Sequence, residues 1–304
     1  MGMQVKLMFA LSLVAGGAVA AVDPKCPLEG EWKLVKEVSD EFDGKGLVCS
    51  KWRDMNPDFT GRRGTFCFAR RNVAVKDGEL QLTARELTQK EKDADLRGFT
   101  GEKWATGVIK SWQKVKYGYF EARIKSMKAA VCNAFWLYDP LGGTNAKNMK
   151  GDFSEEIDIM EVFGEPTAKA VEHMWYGTCH RFETPYVEGI ANRYEFKLPK
   201  KGVQQWLGFD FWKDYHVYGL LWTEDEITWF VDGKKMGSRP NDFFKRPLNV
   251  MVNCEVMPGW GGAPAEGQLP AVMHVDYVRV WQRVAGKADA LQAGFRDPPD
   301  ASKP

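Results

Sequence analysis

The sequence lacks the signatures of several common classes of protein. Its 304 residues carry 42 Lys and Arg against 41 Asp and Glu, so bulk charge provides no attraction to nucleic acid or to an acidic membrane. The H-E-x-x-H and G-x-S-x-G patterns of zinc proteases and serine hydrolases are missing. The glycine-rich turn at 259–262 follows no βαβ pattern, so a nucleotide site is unsupported. We therefore expect neither nucleic acid nor a membrane as a partner.

Long apolar runs are missing beyond the N-terminus. Lys6 is followed by an apolar run over 7–19, and Ala18-Val19-Ala20 matches a small-x-small cleavage site. This pattern predicts a signal peptide at residues 1–20 that is cleaved after Ala20. The alternative is a membrane anchor, for which the run is short. Export predicts a secreted or periplasmic protein in an oxidising space.

Paired C-x-x-C motifs are also missing, which argues against a zinc ribbon or a thioredoxin-type site. The cysteines number six, and an even number in an exported protein favours disulfide bonds. Six cysteines allow many connectivities, so their pairing stays open. They are Cys26, Cys49, Cys67, Cys132, Cys179 and Cys254.

What the sequence does contain is short alternating segments between turn residues. Asp77-Gly78 and Asp232-Gly233 each separate two such segments and predict β-hairpins. Because strands dominate and amphipathic helices are absent, we predict an all-β sandwich over residues 21–285. Residues 286–304 are predicted to be a flexible C-terminal tail. The chain has 12 Trp; we expect most in the core and a few lining a cleft, where sugar rings stack on aromatic faces.

The most informative stretch is 154–162, where carboxylates alternate with branched apolar residues. Side chains two positions apart on a strand share a face, so Glu156 and Asp158 point the same way. Glu155 has the opposite parity and is rejected as a catalytic residue. Glu161 joins the acidic face if one extra residue at Met160 forms a β-bulge, a feature common beside active sites.

Three acids on one strand face repel one another, and a strand with a purely structural role gains nothing from this arrangement. A retaining glycosidase does need a nucleophilic carboxylate and a protonated partner about 5–5.5 Å away. A third acid between them keeps their proton affinities apart. The alternatives for this stretch are a solvated strand and a calcium site.

The run from Glu156 to Glu161 resembles the E-x-D-x-x-E signature of glycoside hydrolase family 16, in its bulged form. This family includes laminarinases, agarases, porphyranases and κ-carrageenases. The resemblance implies Glu156 as nucleophile, Asp158 as its helper and Glu161 as general acid/base. Matching segments follow in order from Asp40 to Gln282, and the family resemblance implies a β-jelly-roll of two curved antiparallel sheets with a concave cleft. They include 40–44, 117–125, 134–137 and 229–233.

The same resemblance suggests substrate-binding residues. Trp136, in the "AFWL" segment, is expected beside the scissile bond, and Trp260 is expected in a loop that stacks on substrate. His180, at the end of a G-T-x-H segment, either donates to the nucleophile or a sugar hydroxyl, or is structural. His173 lies seven residues earlier and faces the other way, so we expect no metal site from this pair. The stretch 181–208 is interpreted as a loop bordering the cleft.

The implied function is a secreted, endo-acting, retaining hydrolase of a β-linked polysaccharide. Similarity to agarases and porphyranases at 61–62 and 72–78 favours a red-algal galactan: agar, porphyran or carrageenan. Alternatives are a β-1,3- or mixed-linkage glucanase, a transglycosylase and, less favoured because all three acids are kept, a non-catalytic lectin. Four arginines either contact sulfate groups or form a solvated basic loop. They are Arg62, Arg63, Arg70 and Arg71.

We expect the chain to bind its polysaccharide as a monomer and to require no cofactor. The family resemblance allows a structural calcium ion on the convex side, but no residue of the sequence locates it.

Overall fold

A computed structural model describes residues 23–55, 65–93, 102–139, 152–184, 194–195 and 202–284. The predicted signal peptide at 1–20 and the predicted tail at 286–304 lie outside these residues. Within them, no helix combines the length and apolarity that crossing a membrane requires.

Strands dominate the described residues, as expected. In chain order they are β1 (Trp32–Leu34), β2 (Trp52–Arg53), β3 (Phe66–Phe68), β4 (Val73–Lys76), β5 (Glu79–Glu86), β6 (Trp104–Thr106), β7 (Val108–Val115), β8 (Gly118–Lys125), β9 (Cys132–Asp139), β10 (Asp152–Phe163), β11 (Met174–Thr184), β12 (Tyr194–Glu195), β13 (Gly202–Trp206), β14 (His216–Trp222), β15 (Glu226–Val231), β16 (Lys234–Pro240), β17 (Leu248–Glu255) and β18 (Ala271–Arg283). One short helix, α1 (Gln89–Asp93), and 3-10 turns at Lys36–Val38, Arg70–Asn72 and Lys169–Val171 complete the described elements.

The strands form two sheets. The outer sheet has the order β16-β15-β14-β8-β18-β5-β6-β3, with β1 also on β18 and β4 also on β5. The cleft sheet has the order β12-β11-β10-β9-β17-β7-β2, with β13 also on β11. The β3–β6 pair is parallel, and the other described pairs are antiparallel. This architecture confirms the predicted β-jelly-roll sandwich.

The two predicted hairpin turns are present. Asp77 and Gly78 have φ values of 57° and 80°, and Asp232 and Gly233 have 49° and 74°. Positive φ at both central residues is the type I′ geometry that Asp-Gly favours. The Asp232 carboxylate accepts a hydrogen bond from the Val217 backbone N–H at 2.8 Å, so its role is structural.

The core lies between the sheets and is one large cluster of buried side chains. Ile157 and Ile159 of β10 belong to this cluster together with Trp222 and Trp229 of the outer sheet, and all four are fully buried. Each such aliphatic side chain contributes roughly 1.5–3 kcal/mol to folding. Burial of Ile157 therefore fixes the face on which its neighbours Glu156 and Asp158 point to the cleft.

Two sequence expectations are wrong. The stretch 181–208 is not simply a loop, because β11 runs on to Thr184 and β13 pairs with β11. Strand β13 escaped notice because it is a short edge strand whose Gln204, Gln205 and Trp206 are exposed, so it lacks alternating burial.

The expected disulfide bonds are also absent, since all six cysteines are free thiols. Cys132 and Cys254 lie on neighbouring strands, but Cys132 is in register with Glu255 and Cys254 with Asn133. Successive residues of a strand face opposite ways, so these two thiols lie on opposite faces of the sheet. Burial raises the pKa of Cys254 to about 12, so this thiol behaves as a small apolar group.

Candidate active site

The acidic face of β10 is formed as predicted. Glu156 is in register with His180 of β11, and Glu161 is in register with Tyr176. Against β9, the register shifts between Asp158 and Met160. The extra residue of the bulge is thus Ile159, one position before the Met160 that we predicted. The bulge turns Glu161 onto the face of Glu156 and Asp158.

Glu155 lies on the opposite face, as its parity required. It is fully buried, and its Oε2 accepts a hydrogen bond from the backbone N–H of Arg246 at 3.3 Å. Burial raises the pKa of Glu155 to about 7, although the charges of Arg246 and Arg181 oppose this shift. This carboxyl group belongs to the interior and not to the cleft.

The bulge is supported from the opposite sheet. A bulge disrupts the hydrogen-bond ladder locally, and the carbonyl of Asp158 accepts a hydrogen bond from the Trp229 indole Nε1 at 2.8 Å. Trp229 reaches this carbonyl beneath Gly177, where an added Cβ would lie 2.5 Å from the indole Cδ1. The absence of a side chain at Gly177 therefore makes room for the Trp229 ring, which donates the hydrogen bond that the buried Asp158 carbonyl needs.

Asp158 is held by a side chain that sequence analysis did not single out. Thr178 Oγ1 donates a hydrogen bond to Asp158 Oδ2 at 2.5 Å and lies 3.2 Å from His180 Nε2. A threonine hydroxyl has one hydrogen, and an ionised carboxylate can only accept. In the His180 tautomer that has a hydrogen on Nε2, the Thr178 oxygen can accept a hydrogen bond from this nitrogen.

His180 lies beside Glu156 and Asp158. Its Nε2 lies 3.3 Å from Asp158 Oδ2 and 3.9 Å from Glu156 Oε1. Its ring stacks on Phe182 with a centroid distance of 5.9 Å. An Nε2–H held in this place can donate to the carboxylates or to a sugar hydroxyl. His173, by contrast, lies 2.9 Å from the Phe209 carbonyl and takes no part in the cleft network.

Two uncharged side chains lie beside Glu161. The Cys132 thiol lies 4.0 Å from Glu161 Oε1, and burial raises the pKa of this thiol well above its ordinary value. Tyr176 is the cross-strand neighbour, and its pKa is raised chiefly by burial. Neutral, desolvating neighbours favour the protonated form of a carboxyl group.

Trp136 lies on the cleft face but is nearly buried, with 6% of its surface exposed. Its indole Nε1 donates to Asn253 Oδ1 at 2.9 Å, and Asn253 Nδ2 donates to Glu255 Oε1 at 2.7 Å. These bonds fix the ring beside Asp158, with which Trp136 is in register. Sequence analysis missed Asn253 and Glu255; their alternation on β17 was the available signal.

Trp260 lies at one end of the acidic row. Its ring makes edge contacts with Tyr176 and Phe163, at centroid distances of 4.9 and 5.1 Å. It lines a pocket of about 390 Å³ together with Glu255 and Met257. The ring is therefore placed where a sugar bound beyond Glu161 can touch it.

Three side chains in the cleft are close enough together to hold a metal ion. Donor atoms of Glu156, Asp158 and His180 lie within 4.8 Å of one another. Asp158 Oδ2 already accepts a hydrogen bond from Thr178 and lies 3.3 Å from His180 Nε2. The trio is therefore suited to hydrogen bonding among its own members. It lies in the cleft, and so it does not locate the calcium ion that the family resemblance allows on the convex side.

A family model described as "Beta-porphyranase A-D, GH16 domain" matches residues 32–283. The chain belongs to glycoside hydrolase family 16. This membership makes it a glycoside hydrolase and confirms the resemblance drawn from the sequence.

Individual family members are similar over most of the chain. A κ-carrageenase of Pseudoalteromonas carrageenovora is 28% identical over 93% of this chain and 73% of its own. The crystal structure of the κ-carrageenase from that organism, in complex with an oligosaccharide of κ-carrageenan, superposes with a TM-score of 0.68 at 26% identity, covering 87% of this chain and all of that one. β-Porphyranase B of Zobellia galactanivorans is 28% identical over 87% of this chain and 89% of its own. A β-glucanase of Rhodothermus marinus is 29% identical over 91% and 94%.

Proposed function

We propose that this family 16 enzyme is an exported, endo-acting, retaining hydrolase of a red-algal galactan. The observation that carries the proposal is the single face of β10 that presents Glu156, Asp158 and Glu161 across a bulge. A nucleophile and an acid on one rigid strand keep their separation fixed through both steps of a double displacement.

In the first step, Glu161 donates its proton to the glycosidic oxygen while Glu156 attacks the anomeric carbon. The bond from that carbon to the leaving oxygen breaks, and a glycosyl ester forms on Glu156. Asp158, held by Thr178, orients Glu156 from the next position on the same face. His180 Nε2 lies 3.9 Å from Glu156 Oε1, so its ring borders the nucleophile on the side of Asp158.

In the second step, the ionised Glu161 takes a proton from a water molecule. The water oxygen attacks the anomeric carbon, and Glu156 leaves as a carboxylate. Two carboxyl groups and water complete the reaction, so the proposed chemistry calls for no cofactor. Glu156 and Glu161 lie on the same strand, so one chain supplies both carboxyl groups. We propose that the enzyme acts as a monomer.

A galactan is favoured by the family model and by a row of residues across the cleft sheet. The register runs from Asp158 through Trp136 and Met251 to Lys110 and Arg53. Lys110 is fully buried, whereas Arg53 at the end of the row is partly exposed. A guanidinium group there suits a sulfate group of porphyran or carrageenan.

The four arginines considered from the sequence do not strengthen this assignment. Arg70 is paired with Asp54 at 2.6 Å, and Arg71 is paired with Glu91. Arg62 and Arg63 lie outside the described residues.

A β-glucan is the second candidate, since a β-glucanase is similar over nearly the whole chain. Glucans carry no sulfate, so charge separates them from porphyran and carrageenan but not from agarose. A transglycosylase would use the same acids with a sugar as acceptor in place of water. A lectin would bind without cleavage.

The test is to incubate the protein that begins after Ala20 with agarose, porphyran, κ-carrageenan, laminarin and lichenan, and to measure new reducing ends. Proton NMR of the first product then reports whether the anomeric configuration is retained. We expect cleavage of one galactan with retention. Cleavage of a glucan alone would overturn the substrate, and an inverted product would overturn the mechanism.

The assignment of the nucleophile is tested by Glu156→Gln, with Glu155→Gln as the matched control. We expect Glu156→Gln to lose activity by a factor on the order of 10⁴ or more, as removal of a central catalytic group does. The control removes a neighbouring carboxylate from the buried face and keeps activity. Substantial activity in a folded Glu156→Gln variant would refute the role.

A further inference from the structure

Trp206 is a large aromatic side chain of the cleft sheet that the catalytic site does not use. It is 62% exposed, whereas the other strongly exposed apolar residues described are the small Val48 and Val284. It lies at the end of the edge strand β13, in register with Met174 of β11. An indole ring this open to water has surface available for a ligand.

The ring belongs to the same face of the sheet as the catalytic acids. Thr178 and Tyr176 of β11 reach Asp158 and Trp260 on the cleft side. Met174 continues this parity, and paired residues of antiparallel strands share a face. Trp206 therefore projects on the cleft side.

The distance from the acids places it beyond the catalytic sugars. Glu161 is in register with Tyr176, and Tyr176 with Gln204. Two strand spacings and two residues along β13 separate Glu161 from Trp206, which amounts to roughly 12 Å between backbones. Tyr176 and Trp260 lie between them, so aromatic groups continue outward from the acid/base toward Trp206.

The ring is held in place although it is exposed. Gly208 has φ of +76°, and an added Cβ there would lie 2.6 Å from the Trp206 ring. The His173 ring meets the indole edge-on at a centroid distance of 6.1 Å, and the His173 carbonyl accepts a hydrogen bond from Leu207 N–H at 2.9 Å. One side of the indole thus rests against the chain while the other is open.

We propose that Trp206 is the stacking platform of a distal subsite, which binds a sugar ring of the polysaccharide beyond those at the catalytic acids. The apolar C–H face of a sugar covers the open side of the indole, and the exposed amide of Gln204 is available to its hydroxyl groups. This inference rests on the proposed function, since its ligand is the same chain that the acids cleave.

The experiment compares Trp206→Ala with Gln205→Ala, a control on the same exposed strand with the opposite parity. Both are assayed on the polymer that the wild type cleaves and on the shortest oligosaccharide that it cleaves. We expect Trp206→Ala to raise KM for the polymer roughly three- to tenfold and to leave the short substrate unchanged. The control should match the wild type on both.

Binding is measured separately by affinity electrophoresis in gels that contain each polysaccharide, in the Glu156→Gln background. Weaker retardation on adding Trp206→Ala supports the subsite even if turnover fails, so failure of the proposed hydrolysis is distinguished from failure of the subsite. Equal retardation with and without Trp206 would overturn the inference. So would an equal loss on long and short substrates, because that result would place the effect at the acids.

Discussion

Thr178 and Asp158 are joined by a hydrogen bond of 2.5 Å that links β11 to the catalytic strand β10. The hydroxyl lies between Asp158 and His180 and gives its single hydrogen to the carboxylate. The orientation of the Asp158 carboxylate therefore depends on a residue that carries no charge.

Replacing Thr178 by Val keeps the shape of the side chain and removes this bond. A hydrogen bond to a charged group contributes roughly 1.5–3 kcal/mol, so we expect kcat to fall about ten- to hundredfold. Steady-state kinetics on the cleaved polysaccharide provide the measurement. Thr178→Ser restores the hydroxyl and should recover most of the activity; unchanged kcat in the Val variant would show that the bond does not position Asp158.

Glu155 should make folding stability depend on pH. Its pKa is raised by burial from 4.5 to about 7 in the folded protein, and its Oε1 has no hydrogen-bond partner among the described residues. The folded state therefore holds a proton that the unfolded chain releases. This contribution is fully present below pH 4.5 and is lost as the pH rises through 7, by about 3 kcal/mol in all.

The Glu155→Gln variant lacks this titration. Denaturant unfolding at pH 4.5 and at pH 8 should show that the variant gains stability relative to the wild type at the higher pH. A stability difference between the two proteins that is the same at both pH values would contradict the buried-carboxyl assignment.

The loop that carries Trp260 depends on a close approach at Gly261. A Cβ there would lie 2.0 Å from the Phe163 ring, and Phe163 in turn contacts Trp260. We expect Gly261→Ala to destabilise the fold by about 1–3 kcal/mol through overpacking and to raise KM by displacing the Trp260 ring. At Gly259 a Cβ meets nothing within 4 Å, so Gly259→Ala should change neither the unfolding midpoint nor KM.

The free cysteines predict indifference to reductants. Titration of the denatured, unreduced protein with a thiol reagent should count all six cysteines, because none is bridged. Dithiothreitol should leave the thermal midpoint unchanged. A fall in the midpoint of several degrees on reduction would show that a disulfide stabilises the folded chain.

The sequence predicted those parts of the site that depend on local alternation. Parity alone placed Glu156 and Asp158 on one face and Glu155 on the other, because alternation is a property of a single strand. Thr178 and Asn253 were beyond its reach, since their partners lie 20 and 117 residues away. Such contacts depend on which strands become neighbours and in which register.

Other errors have the same origin. The bulge was placed one residue late because its position depends on the register with β9 and on Trp229, neither of which is visible in the motif. The disulfide prediction relied on compartment and cysteine number, and neither reports on which side of a sheet a thiol falls. The jelly-roll itself was predictable because hairpin turns and strand alternation agree along the whole domain.

The hydrogen bond from the Trp229 indole to the Asp158 carbonyl joins the outer sheet to β10 at the bulge. One layer cannot slide over the other without releasing the Asp158 carbonyl into a dry interior, where an unpaired carbonyl is costly. The backbone at the bulge therefore cannot change its conformation while the two sheets stay packed. On heating, we therefore expect no stage at which the two sheets stay packed while the three acids have moved apart. The enzyme should lose its activity at the same rate as it unfolds.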